Sequence, residues 1–237
     1  LKKRIVEYLN EAKQIAGSIE VKDIARVAVI LYEAWARRSN IFVCGNGGSA
    51  ATASHFVGDL CKIGVPAYCL NDNVPLISAL TNDEGWDNVF VYQLAHKFSK
   101  GDVLVCISVH GGVGKENADF WSQNLFKAIE YVKSYRGQTI GLVGFEGGVI
   151  RRVADASIKI NSYSTPQVES WHDHICHLIS LVLSECKPTK ICVCGMTYIL
   201  PDLVCPYCHE SRYRLIKGIE GNIEDVRKIY DSIQVTS

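Results

Sequence analysis

No stretch of this chain is apolar over anything near the length of a membrane span, and its first residues carry no apolar signal-peptide core. An excess of one charge is missing too. The 25 Lys and Arg residues offset 25 Asp and Glu, so no overall field recruits nucleic acid or an anionic bilayer. Local basic clustering is just as sparse, with Arg212, Arg214 and Lys217 as the main support for a nucleic-acid face. These absences predict a cytoplasmic protein with neither membrane nor nucleic acid as partner.

The chain does have core material and thiols. Hydrophobic residues make up 48% of 237 positions, enough for one α/β domain with a small appendage. Of the ten cysteines, Cys44, Cys69 and Cys106 lie in or beside apolar runs and Cys176 in a helical stretch, where small buried hydrophobes are expected. Cys192, Cys194, Cys205 and Cys208 form two close pairs of the kind that hold a tetrahedral structural zinc, although the first pair is spaced C-x-C; His209 could substitute as a ligand. Cysteines used this way fit a reducing cytosol.

The organising stretch is 41–49. Four apolar residues read as a buried strand, and Gly45, Gly47 and Gly48 allow a tight turn with close backbone approach to a ligand. Ser49 stands where a helix N-cap belongs, and the helix entered there turns a positive end toward the crevice, where anions are stabilised. On that helix His55 and Asp59 share a face at i, i+4 spacing, a metal-competent pair.

Around this stretch, helical periodicity over 1–17 and 21–38 predicts a hairpin ahead of the first strand. Further strands are expected over 65–70, 101–108, 138–143 and 156–160. Helices are expected over 75–80, 89–98, 120–135, 147–153 and 166–185, with a polar loop over 81–86. Strands alternating with helices imply a five-stranded parallel, doubly wound sheet with ligands at the carboxyl ends of its strands. After residue 186 a polar break leads to a second unit, 187–237: the four-cysteine metal module and a final amphipathic helix over 222–234.

Gly-Asn-Gly-Gly-Ser at 45–49, followed six residues later by His55, resembles the phosphoheptose isomerases, a branch of the sugar isomerase (SIS) domain family. The resemblance covers roughly residues 1–185. It implies a SIS-type fold and aldose–ketose isomerisation of a sugar phosphate such as sedoheptulose 7-phosphate. It also implies a homo-oligomer, dimer or tetramer, with sites formed between subunits. Asn46, Gly47, Gly48 and Ser49 are then substrate contacts, as are Asn82 and Asp83 ahead of Gly85-Trp86, with helix capping as an equal alternative for Asp83. The loop after the third strand, with Ser108, His110, Gly111 and Gly112, is implied to take the phosphate, although the family's later hydroxyls are gone here. His172 and His177 match the family's two histidines on the last domain helix, with Glu169 where the family has Gln and Asp59 where it has Glu.

His55, Asp59, Glu169 and His177 make a two-His, two-carboxylate set suited to zinc or a similar divalent ion. Asp59 or Glu169 is expected as the base, with His177 as its acid/base partner. Four protein ligands would close a tetrahedral ion, so a catalytic one must expand its shell or lose a ligand. The alternative reading is a non-catalytic SIS-domain protein that senses a sugar phosphate or bridges partners.

Overall fold

All residues of β1 (Ile41–Gly45) and β3 (Val103–Ser108) are buried, as near-continuous apolar strands must be when helices cover both faces of a parallel sheet. The computed structural model describes residues 1–112, 121–186, 189–192, 194, 197–199, 213–216 and 228. The helices α1 (Lys2–Ser18) and α2 (Val21–Ala36) precede β1, and α3 (Gly48–Lys62) leads to β2 (Ala67–Cys69). Then come α4 (Val74–Glu84), a 3₁₀ turn (Trp86–Asn88), α5 (Val89–Lys97) and β3. The domain closes with α6 (Gln123–Ser134), β4 (Gln138–Val143), α7 (Gly148–Val153), β5 (Ala156–Lys159) and α8 (Thr165–Glu185).

The five strands are all parallel in the order β2-β1-β3-β4-β5. The expected doubly wound sheet is therefore present. Strand order reverses between β1 and β3, which pair from Ile41↔Val103 to Gly45↔Ile107, and the crevice beyond such a switch point is where ligands bind. Side chains alternate between two cores. Ile41 and Val43 join α2, α3 and α8, while Phe42 and Cys44 join α5, α6 and α7. On adjacent strands the Cys44 and Cys106 thiols lie 3.7 Å apart, fully buried, in the hydrophobe's role expected of them.

Two boundaries differ from expectation. Residues 81–84, expected in a loop, continue α4 to Glu84, and Gly85 (φ 81°, ψ 150°) ends it. Ser49 is not the N-cap of α3: Gly47 takes that place at φ 57°, and Ser49 is buried one turn position inside. The chain turns early because a glycine can adopt the positive φ. The Gly45 Cα also packs against Ser49, where an added Cβ would meet the Ser49 carbonyl oxygen at 2.5 Å.

Beyond the domain, β6 (Thr189–Cys192), β7 (Thr197–Ile199) and β8 (Tyr213–Ile216) form an antiparallel sheet in the order β7-β6-β8. Of the cysteines expected to hold a structural zinc, Cys205 and Cys208 lie outside the described residues. Cys192 ends β6 and Cys194 is an exposed turn residue. The helix expected over 222–234 also lies outside them, apart from Lys228.

Candidate active site

The site grows from two helices on one face of the sheet. On α8, Glu169, Asp173 and His177 are spaced four apart and make one stripe. On α3 the facing positions are Gly48, His55 and Asp59. The Glu169 carboxylate lies over Gly48, where an added Cβ would be 2.5 Å from Oε1. Next along, Asp173 Oδ1 is 3.4 Å from His55 Nδ1, and then His177 Nδ1 is 2.9 Å from Asp59 Oδ2. Because the contacts ascend together, the two helices run the same way.

Two more contacts complete the constellation: His177 Nε2 to Asp173 Oδ2 at 3.6 Å and His55 Nε2 to Asp59 Oδ2 at 3.9 Å. The two imidazoles meet edge to face with centroids 4.7 Å apart. Asp59 is the most sheltered member, its side chain 16% exposed against 51% for His55 and 49% for His177. Its burial favours the neutral acid, but the Lys62 ammonium at 3.2 Å and the two imidazoles outweigh that and hold the carboxyl below its usual range. One donor atom from each of His55, Asp173 and His177 lies within 4.8 Å of the others, a group competent to hold a metal ion.

The structure thus brings His55, Asp59 and His177 together, sets Glu169 at the entrance of α3, and adds Asp173, which the sequence reading did not single out. Its signal was available, since Asp173 stands four residues before His177 just as His55 stands four before Asp59. His172, by contrast, points into the core at 1% exposure, and neither ring nitrogen has a hydrogen-bond partner. Burial pushes its pKa down to about 4; the Val143 backbone lies close enough to oppose this weakly but makes no hydrogen bond of good geometry with either ring nitrogen.

The glycine turn is more firmly tied than its composition suggested. Asn71 donates to the Gly45 carbonyl (2.9 Å) and accepts from its N–H (3.1 Å), extending the β1 ladder by a side chain. Asn46 exchanges two amide hydrogen bonds with the buried Asn124 at the start of α6. Gly47 and Gly48 are exposed at the crevice. Ser108 Oγ accepts from the Gly111 N–H at 3.1 Å. The Gly111 and Gly112 carbonyls accept from Ile150 and Val149 at the start of α7, so these glycines serve backbone packing between two turns. His110 meets Trp121 edge to face and Phe145 at a tilt, with ring centroids 5.1 and 4.4 Å apart. Asn82 and Asp83 are exposed on α4 and bond each other at 2.9 Å.

Thiols contribute little chemistry here. Burial drives Cys69 up to about 12 and Cys176 higher still, which removes the nucleophilic thiolate. What remains is an acid–imidazole cluster beside a glycine turn at the switch point of a 2-1-3-4-5 sheet.

That combination of sheet, glycine turn and paired helices defines a sugar isomerase domain, and residues 7–144 match the profile of the SIS domain family. The chain belongs to that family. Within it, the chain is 31% identical to the phosphoheptose isomerase of a Nitratiruptor species over 191 residues, 78% of this chain and 97% of that protein. It is 32% identical to that of Aliarcobacter butzleri over 193 residues, covering 76% and 97%. The solved structure of a phosphoheptose isomerase from Neisseria gonorrhoeae superimposes with a TM-score of 0.71 at 27% identity, over 78% of this chain and 98% of that one. The chain is a member of the phosphoheptose isomerase branch, and its enzyme class is that of the sugar-phosphate isomerases.

Proposed function

We propose that the chain interconverts sedoheptulose 7-phosphate and an aldoheptose 7-phosphate through an enediolate. The observation that carries this reading is the alignment of α3 and α8, which sets an unshared carboxylate, Glu169, beside an imidazole–carboxylate cluster at the switch point. Isomerisation requires removal of a proton from C1 and its return at C2, while charge on the C2 oxygen is stabilised. Of the two acids expected as base, Asp59 is engaged by Lys62 and His177. Glu169 makes no hydrogen bond or ion pair with any described residue, and so it is assigned the carbon-to-carbon proton transfer. His177 serves the oxygen end.

The imidazoles and carboxylates between the helices are the donor chemistry that a zinc-class ion takes, and metal dependence is part of this proposal. Such an ion, when bound, supplies polarisation of the substrate's carbonyl and hydroxyl oxygens. Because Glu169 takes the entrance of α3, the phosphate is assigned across the crevice to the loop beginning at Ser108 and His110. Asn46 and the Gly47–Gly48 turn then face the sugar hydroxyls.

Assembly as a homo-oligomer belongs to the same reading. On α1 only Ile15 is buried, while Ile5 and Leu9 are 52% and 55% exposed and Val6 and Tyr8 are also open. A second copy of the chain is the occupant proposed for this apolar face. Unpaired thiols at Cys44, Cys61, Cys69, Cys106, Cys176 and Cys186 suit a reducing cytoplasm. A structural zinc on Cys192, Cys194, Cys205 and Cys208 rests on their spacing alone. Among the described residues, no helix is long and apolar enough to cross a membrane.

The test is incubation of metal-replete protein with sedoheptulose 7-phosphate in deuterated water. Solvent deuterium at C2 of an aldose product supports the proposal. Neither turnover nor exchange across a panel of ketose phosphates would assign the protein to sugar-phosphate binding without catalysis.

A further inference from the structure

Gln167, in the first turn of α8, is 1% exposed, and its Nε2 donates to the Tyr8 carbonyl of α1 at 2.8 Å. The usual polar means of fixing a helix start are missing there. No side chain caps α8 at Ser164, and Pro166 has no N–H to give. Val168 supplies an apolar contact, fully buried against Gly144, where an added Cβ would meet its Cγ1 at 2.5 Å. Two residues after Gln167 comes Glu169, on the opposite side of the helix because successive residues stand about 100° apart. The start of α8 therefore carries an amide tied to α1 and, facing away from it, a carboxylate over Gly48 of α3.

The segment leading into α8 seats α1 as well. Ser162 Oγ donates to Glu11 Oε1 at 2.7 Å, Asn161 Nδ2 donates to the Ser18 carbonyl at 3.2 Å, and Ile15 is the buried apolar residue of α1. Tyr8, Glu11, Ile15 and Ser18 recur at helical spacing, so this seam follows one side of α1.

We propose that Gln167 is a positioning residue for Glu169, setting the roll of the first turns of α8 by tying them to α1. The inference rests on the reading of Glu169 as the base. An apolar contact such as that of Val168 has no preferred direction, and the helix start can turn about it; a hydrogen bond fixes the angle. For a carboxylate about 6 Å from the helix axis, a roll of about 10° is a displacement of about 1 Å. A misplacement of about 1 Å can cost roughly 100-fold in rate. Gln167 faces α1, away from the imidazole cluster, so its effect on the reaction passes through Glu169.

The test is a double-mutant cycle on full-length, metal-replete protein. Gln167→Met keeps the length of the side chain and removes the donor. It should lower kcat for sedoheptulose 7-phosphate by about 10- to 100-fold and hold KM within about threefold, with a melting temperature lowered by no more than about 4 °C. Backbone hydrogen exchange should quicken at residues 168–171 and stay unchanged on α3. In the Glu169→Gln background no base is left to misplace, so the same substitution should change the residual kcat by less than about twofold. Gln167→Asn, whose amide is one methylene short, gives the cycle a milder second variant and should fall between wild type and Gln167→Met. A loss of equal size in both backgrounds would make the effect of Gln167 structural and overturn the proposal, as would wild-type kcat in Gln167→Met. Failure of the base assignment has another signature, since Glu169→Gln would then turn over as wild type does and both readings would fall. A slow Glu169→Gln beside a normal Gln167→Met overturns this inference alone.

Discussion

Asn46 and Asn124, 78 residues apart, exchange a reciprocal pair of amide hydrogen bonds at 3.0 and 2.9 Å that joins the glycine turn after β1 to the first turn of α6. Asn124 is fully buried, and its Oδ1 also accepts from the Leu125 N–H. Asn124→Ala should therefore cost about 1–3 kcal/mol, the range for stranding a buried polar partner. The turn should loosen with it, so KM rises more than kcat falls. Urea unfolding and steady-state kinetics on one preparation check both.

Gly48→Ala separates the Glu169 role from stability. The new methyl would stand 2.5 Å from Oε1, and a flexible carboxylate moves aside more easily than a helix does. Gly48 is the first residue of α3, where alanine gains little of its helix-interior advantage, so melting should stay close to that of the wild type. Misplacing a catalytic group by about 1 Å can cost roughly 100-fold, and kcat should fall 10- to 100-fold. An unchanged kcat with a crystallographically displaced Glu169 would remove that residue from the chemistry.

His172 sets an acid limit. Its folded pKa of about 4 lies below the unfolded value of about 6.5, so between these pH values the unfolded chain binds a proton that the native one refuses. Stability is complete above about pH 6.5 and falls as pH drops toward 4, by about 3 kcal/mol in all at roughly 1.4 kcal/mol per pH unit. His172→Leu, which also removes two unpartnered buried nitrogens, should keep the fold and flatten this slope in unfolding experiments between pH 7.5 and 4.5.

The exposed face of α1 gives a fourth expectation. Ile5 and Leu9 are each more than half exposed, and replacing both with Glu should shift light-scattering mass from an oligomer to a monomer. A mass unchanged by both substitutions would place the self-contact elsewhere.

Much of this was readable beforehand, for identifiable reasons. Strands buried on both faces leave unbroken apolar runs such as 41–44 and 103–107, and glycines mark their ends, so the parallel sheet followed from pattern alone. His55 and Asp59 could be paired because helical spacing places residues four apart on one face, whereas Glu169 and His177 were picked out by the resemblance to the phosphoheptose isomerases. The C-terminus of α4 was misjudged because Asn82 and Asp83 favour turns, whereas Gly85 is what stops the helix. Ser49 looked like a cap because serine is a good one, but a positive φ at Gly47 starts the helix two residues sooner. Pairs such as Asn46 with Asn124 or Asn71 with Gly45 have no sequence signature, since the sheet alone brings them together.

The common direction of α3 and α8 has a further consequence. Slide α8 by one turn, four residues or about 6 Å, and Asp173 would face Asp59 while His177 met Lys62. Slide it the other way and the two histidines would confront each other, with Asp59 left against Leu181. Only one alignment of the two cylinders sets each imidazole against a carboxylate of the other helix, and the helices are held in it by the sheet on which they pack. The reactive cleft thus works like a vernier whose zero mark is engraved in the sheet, and a substitution deep among β1, β3 and β4 can detune it without touching a charged residue.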